Sequence, residues 1–310
     1  QGEQFILASF MTDEKGWARN SGFLKQIAQT IVPLDPLKLI SDKLAGLDAA
    51  NALLSTLNKN SLKPLVGFSE WRRIRAKTED GFPGADIGYA RINIDRGNIE
   101  EVEYREGQHT LEDNGIIVTV RTRLLPNIAT GVVTDSFARY WMSWDSKEER
   151  WSNRVTRWLD KASATESETG IRNRPEIGSP KSRLMVLQQD LTSDVIQTPF
   201  KALAEDPWLP RAVVWVLGPL MKSESDGSDY IWMTYENSGD NQRVVTRTDS
   251  IKKNENTWTI ETHFGENEIT LRSTFDEHGH LVIQEQKNGG VVTSTTEEEL
   301  RAIWGPRNLW

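Results

Sequence analysis

From 229 to 295 the chain alternates apolar and polar residues in six short runs separated by turn-sized gaps. A strand that buries one face has this period of two. In 257–264, Trp258, Ile260 and Phe264 share a face with Thr262, while Thr257, Thr259, Glu261 and His263 share the other. Ile269, Leu271 and Phe275 repeat the pattern, Leu281 with Ile283 and Val291 with Val292 continue it, and 230–235 and 244–248 read as two earlier strands. Between the runs stand Gly265-Glu266-Asn267, Asp276-Glu277-His278-Gly279 and Asn288-Gly289-Gly290. Such residues supply the positive φ and the side-chain-to-backbone hydrogen bonds of hairpin turns. The stretch predicts an up-and-down antiparallel sheet with one apolar face that has to be covered.

Upstream, Asp35 reads as an N-cap before Pro36, and Leu37, Ile40, Leu44, Leu47, Ala50, Leu53, Leu54 and Leu57 form a helical stripe over 36–58. That stripe docks on the sheet or meets a protein partner. Strands are expected at 71–77, 87–95, 99–104, 116–124 and 132–144, and they could continue the same sheet. Ser146 and Glu149 match a capping box, so 146–159 reads as a helix with Trp151, Val155, Trp158 and Leu159 on one face; a hairpin strand against 137–144 is the alternative. The polar stretch 161–182 reads as a long loop, and 183–190 as a strand. Thr198-Pro199 and Asp206-Pro207 predict two short helices, 200–204 and 209–217, the second apolar nearly all round from Ala212 to Leu217. Such a helix plugs or lines the concavity of the sheet. Thr295 and Thr296 before Glu297-Glu298-Glu299 predict a closing helix through Ile303.

With 310 residues the chain can bury a sizeable core. Its net charge of −8 argues against a surface for nucleic acid or anionic lipid, and the basic clusters at 72–75 and 150–183 are interleaved with acids as in a solvated face. The absence of Cys excludes disulfides, thiol nucleophiles and thiolate metal sites. Twelve Trp against five Tyr supply large rings suited to a core or a broad apolar cavity. No apolar run approaches the roughly 18 residues of a transmembrane span. The chain begins at Gln1 rather than Met, which suggests a leader removed or omitted, and a soluble, exported protein is expected.

Chemistry is sparse. His278 and His280, with Asp276 or Glu277, could geometrically hold a metal, but a turn of His, Gly and acids reads better as solvated. His109 near Glu106 and His263 near Glu261 are possible halves of general-base pairs. No nucleophile elbow, zinc-protease helix, phosphate loop or dinucleotide fingerprint occurs. No catalytic, cofactor or metal residue is therefore assigned.

The order of parts, a meander, an apolar helical insert, more meander, and the tail Thr-Glu-Glu-Glu-Leu-Arg-Ala-Ile-Trp, resembles the periplasmic lipoprotein-carrier (LolA-like) half-barrel group over 65–304. The resemblance implies a curved, incomplete barrel around helices whose concave apolar surface takes up acyl chains. The expected architecture is α+β, mainly antiparallel β: a helical extension at 1–64, then a half-barrel at 65–310 with a helical insert near 198–221. The expected function is non-enzymatic binding of a lipid or acyl chain between Trp258, Ile260, Phe264, Leu271 and Phe275 on the sheet and Val213, Trp215 and Leu217 on the helix. Two alternatives stand beside it, an interaction module with a self-filled core and a hydrolase with an unrecognised carboxylate or His site.

Overall fold

The structure, a computed structural model, describes residues 11–30, 35–80, 82–103, 113–127, 131–159, 162–174, 181–222, 224–237, 242–265, 269–287, 289–307 and 309–310. Two compact units are distinguished, one ending at Ala45 and the other running from Gly46 to Trp310. The first contains helix α1 (Glu14–Thr30) and the first part of α2 (Pro36–Thr56). Asp35 starts α2 as expected, its carboxylate accepting from the Leu37 N–H at 2.9 Å. Within this unit Trp17, Phe23, Leu37, Ile40 and Leu44 are exposed.

The second unit takes up the end of α2 and continues through α3 (Lys59–Leu62), which Asn58 and Ser61 start with a capping box. Strands β1 (Ser69–Lys77), β2 (Pro83–Gly97), β3 (Gly115–Asn127) and β4 (Val132–Ser143) follow. Next come β5 (Glu149–Leu159), β6 (Ala162–Arg172), β7 (Ser182–Asp190), β8 (Val195–Ile196) and β9 (Phe200–Ala204). Two single-turn helices, α4 (Arg211–Val214) and α5 (Leu217–Met221), separate these from β10 (Asp229–Asn237) and β11 (Gln242–Lys253). The chain then runs through β12 (Thr257–Phe264), β13 (Leu271–Asp276), β14 (Leu281–Gln286) and β15 (Val291–Thr295) into helix α6 (Glu297–Trp304).

All these strands belong to one sheet in the order β10-β11-β12-β13-β14-β15-β1-β2-β3-β4-β5-β6-β7-β8, with β9 also paired to β7. Every pairing between them is antiparallel, and the two meanders meet where Trp71 of β1 lies opposite Thr295 of β15. After β9 the chain reaches back to the β10 edge: Met233 donates to the Pro207 carbonyl at 2.7 Å and receives a bond from Leu209 at 2.9 Å. The sheet is thus curled into an open, barrel-like half-shell.

The inner face of the shell is filled. Leu209, Ala212, Val213, Val216, Leu217 and Met221 are at most 2 % exposed and join Ala50, Leu53, Leu57 and Leu62 in one core with Ile92, Val118, Trp232, Ile251 and Trp258. Close approach of α5 to the sheet depends on Gly218, where an added Cβ would come 2.6 Å from the Phe275 ring. On the outer face α6 covers a smaller cluster of Leu125, Leu300 and Trp304. Thr296 caps α6 as expected, and Glu299 completes a capping box.

Several expectations are corrected. Within 146–159, residues Glu149–Leu159 form strand β5, the hairpin alternative, rather than a helix, because β5 pairs with β4 and β6, and these ladders outweigh a local capping signal. The polar stretch 161–182 contains β6, whose core-side positions are Glu168, Gly170 and Arg172 rather than apolar residues; 175–180 lies outside the described residues. In the predicted insert, 200–204 is strand β9, held by pairing with β7, and not a helix. The segment 209–217 holds α4 and the start of α5, divided at Trp215 and Val216, rather than one helix. Residues 99–103 turn as a 3-10 helix, with Asn98 accepting from the Glu100 N–H at 2.9 Å, where a strand was expected. Ile269 precedes its strand, which begins at Leu271.

Candidate functional site

The eight residues expected to line an apolar cavity fall into three places. Val213, Leu217, Trp258, Ile260 and Phe275 lie in the main core, where Trp258 and Phe275 are directly paired across β12 and β13 and stack with centroids 4.7 Å apart. Leu271 sits in a separate depression of about 510 Å³ with Lys77, His263 and Arg272. Trp215 and Phe264 line a third space of about 240 Å³, together with Val214, Tyr140, Arg211 and Tyr235.

Joined to this third space through Arg211, Tyr235 and Asn237 is a buried polar floor of the shell that the β5 and β6 registers assemble. Glu149 and Arg172 face each other across the two strands. Both are nearly inaccessible, and Arg172 Nε donates to Glu149 at 3.1 Å. Arg172 also reaches the Ser146 carbonyl at 2.5 Å. The second oxygen of Glu149 accepts the Arg211 backbone N–H at 2.8 Å, and the Trp208 indole donates to the first at 2.5 Å. Two pairs further along the same face, beyond Trp151 and Gly170, Glu168 accepts from the Trp151 indole at 2.8 Å, the Tyr235 hydroxyl at 3.0 Å and the Asn237 amide at 2.6 Å. Burial, and then the Glu168 carboxylate, push the Tyr235 phenol well up, so it stays neutral. A further buried pair, Arg247 with Asp249, is completed by Trp232 and Thr262. These carboxylates are all engaged in holding the shell together.

Arg211 differs from its neighbours. Its guanidinium lies 5.4 Å from the Tyr140 ring, 5.4 Å from Trp151 and 5.5 Å from Tyr235. It donates to the Tyr235 carbonyl at 3.4 Å, and among the described residues no carboxylate lies within ion-pair distance. Burial alone would lower its pKa, but Tyr140, Glu168 and Glu149 hold it above the ordinary value, so the charge is permanent. A fixed cation at the edge of an opening that also shows Trp215 and Phe264 can orient an anionic group whose remainder is apolar. Arg211 was not singled out by periodicity, although a lone Arg directly before the run Ala212-Val213-Val214-Trp215 is the signal that could have found it.

The histidines are dispersed. Asp276 is used by its own turn, accepting from the backbone N–H groups of His278 and His280, and the His280 ring stacks on Phe68 at 5.2 Å. Among the described residues no group of three or more His, Asp and Glu is placed to hold a metal. Glu261, the neighbour of His263 on its face, is paired with Lys252 and Arg272. His109 and Glu106 lie outside the described residues. No described helix is long and apolar enough to cross a membrane, which says nothing of a β-barrel.

No family model matches the chain, and no curated protein matches it. Among solved structures it is similar to a β-barrel-like protein of the domain of unknown function DUF1849 from Brucella abortus, at 14 % identity over 74 % of this chain and 98 % of that one, with a TM-score of 0.47.

Proposed function

We propose that this chain is a non-catalytic, exported binding protein that takes the anionic end of an amphiphile, such as an acyl carboxylate, at Arg211, with the adjoining apolar segment against Val214, Trp215 and Phe264. The observation that carries this reading is the Arg211 guanidinium, framed by three aromatic rings with no carboxylate partner among the described residues. The layout resemblance to LolA-like carriers supports an acyl ligand and an envelope location. The space of about 240 Å³ is smaller than the ~300–1,000 Å³ of a pocket that engulfs a drug-sized ligand, so only the end of the chain enters. The alternative, an interaction module with a self-filled core, is favoured by the burial of Val213 and Leu217 at 1 % and 2 % exposure.

Titration with a fluorescent fatty acid, followed through the emission of the bound probe, tests the proposal. The wild type binds, and Arg211→Met, which keeps an unbranched stem among the rings but removes the charge, weakens binding about tenfold or more, as loss of a charge-assisted hydrogen bond requires. A wild type that binds no fatty acid, with none co-purifying in native mass spectrometry, overturns it in favour of the self-filled module.

A further inference from the structure

A second polar feature lies on the outer face of the shell, away from Arg211, where register builds a line that sequence distance conceals. Trp71 on β1 is paired with Arg91 on β2, Arg91 with Arg121 on β3, Arg121 with Phe137 on β4, and Phe137 with Arg154 on β5. Directly paired residues share a face, so these five side chains stand in one row across five adjacent strands. The row forms the floor of a groove of about 490 Å³, walled on one side by Tyr89 and Trp310.

The row is electrostatically incomplete. Its neighbours on the same face are paired: Arg73 with Asp86, Arg123 with Asp135, and Arg301 with Glu297. Arg91, Arg121 and Arg154 make no ion pair among the described residues. Arg91 lies 5.0 Å over Trp71 and Arg121 lies 5.2 Å over Phe137, contacts that hold each guanidinium plane while leaving its N–H groups unused. The Arg91 Nε is buried with no hydrogen-bond partner. Like charges directly opposite on neighbouring strands are destabilising, so Arg91 against Arg121 calls for an anion between them. This concentration of positive charge occurs in a chain of net charge −8, where general basicity cannot account for it.

We infer that this groove is a binding site for a phosphorylated ligand, with one phosphoryl group held between Arg91 and Arg121 and a further anionic group reaching Arg154. Planar guanidiniums suit phosphate because their paired N–H groups match two oxygens at once. Strand spacing sets Arg91 and Arg121 about 5 Å apart and Arg154 about 10 Å beyond Arg121, so the site favours a ligand with more than one anionic group. The phosphoryl group can come from a free metabolite or from a phospholipid headgroup, and both present the same chemistry to the row.

Isothermal titration with tripolyphosphate and with inorganic phosphate tests this on the full chain, alongside co-sedimentation with phosphatidylcholine vesicles with and without phosphatidic acid. Tripolyphosphate is expected to bind more tightly than inorganic phosphate and to weaken as salt is raised. Arg121→Gln, a change at an exposed position, lowers tripolyphosphate affinity at least tenfold, and Arg154→Gln lowers it while leaving inorganic phosphate unchanged. Arg243→Gln, which removes an exposed arginine paired with Glu236 elsewhere, has no effect. Vesicle binding that requires phosphatidic acid and is lost in Arg121→Gln identifies a headgroup; tripolyphosphate binding without vesicle binding identifies a free phosphorylated ligand. Absence of all binding, or binding that persists equally in Arg121→Gln and Arg154→Gln, overturns the inference. Arg121→Gln leaves fatty-acid binding intact and Arg211→Met leaves tripolyphosphate binding intact, so the two sites fail separately.

Discussion

The indole of Trp151 lies across the bare backbone of Gly170, its directly paired residue on the next strand. A Cβ built on Gly170 would come 2.1 Å from the ring. This fit lets the indole N–H reach Glu168 and presents the ring to Arg211.

Gly170→Ala is therefore expected to force the ring aside and destabilise the protein by about 1–3 kcal/mol, the usual cost of overpacking a tight site. Urea unfolding measures the loss, and a changed near-ultraviolet circular dichroism spectrum reports the displaced indole. An unchanged unfolding midpoint would show that the ring has room to move.

Glu149→Ala removes the partner of Arg172, whose side chain is 3 % exposed, and also leaves the Trp208 indole and the Arg211 N–H without their acceptor. Breaking a buried pair from one side costs about 3–5 kcal/mol, because the remaining charge stays desolvated. Thermal and chemical unfolding should both register it. A loss below about 1 kcal/mol would mean that water reaches Arg172 and that the floor is not a closed network.

Stability should fall in acid through Glu261. Burial alone would raise its pKa, but Lys252 and Arg272 outweigh burial and hold it below the ordinary 4.5. A carboxyl depressed in the folded state contributes stability above its unfolded pKa, and that contribution is lost as pH drops through the folded value. The window accordingly lies at and below 4.5. Glu261→Gln should lower the urea midpoint near neutral pH and bring it close to wild type in acid; an equal deficit at both pH values would assign its role to packing instead.

The β10–β15 meander was legible because its core-side residues are apolar, as Trp258, Ile260 and Phe275 show. β5 and β6 were not, for a physical reason. Their inward positions include Glu149, Glu168, Gly170 and Arg172, whose burial is made tolerable by one another and by Trp208 and Tyr235, and no alternation of apolar with polar marks such strands. The cap-and-proline signal at Thr198-Pro199 was outweighed by β7, which offers 200–204 a ladder. The outer arginine row was invisible for a different cause, since 91, 121 and 154 become neighbours only through the registers of three successive strand pairings.

The pairing of β1 with β15 joins residues from opposite ends of the second unit, such as Arg73 with Thr293 and Arg75 with Val291. During synthesis β1 leaves the ribosome long before its partner does. Until β15 arrives, the early strands present a row of unpaired backbone donors and acceptors, the kind of open edge that recruits other chains. Closing that ladder requires a long intervening chain to be brought round before any bond rewards it. Assembly of this shell is thus a problem of timing, with the first strand laid down waiting for the last.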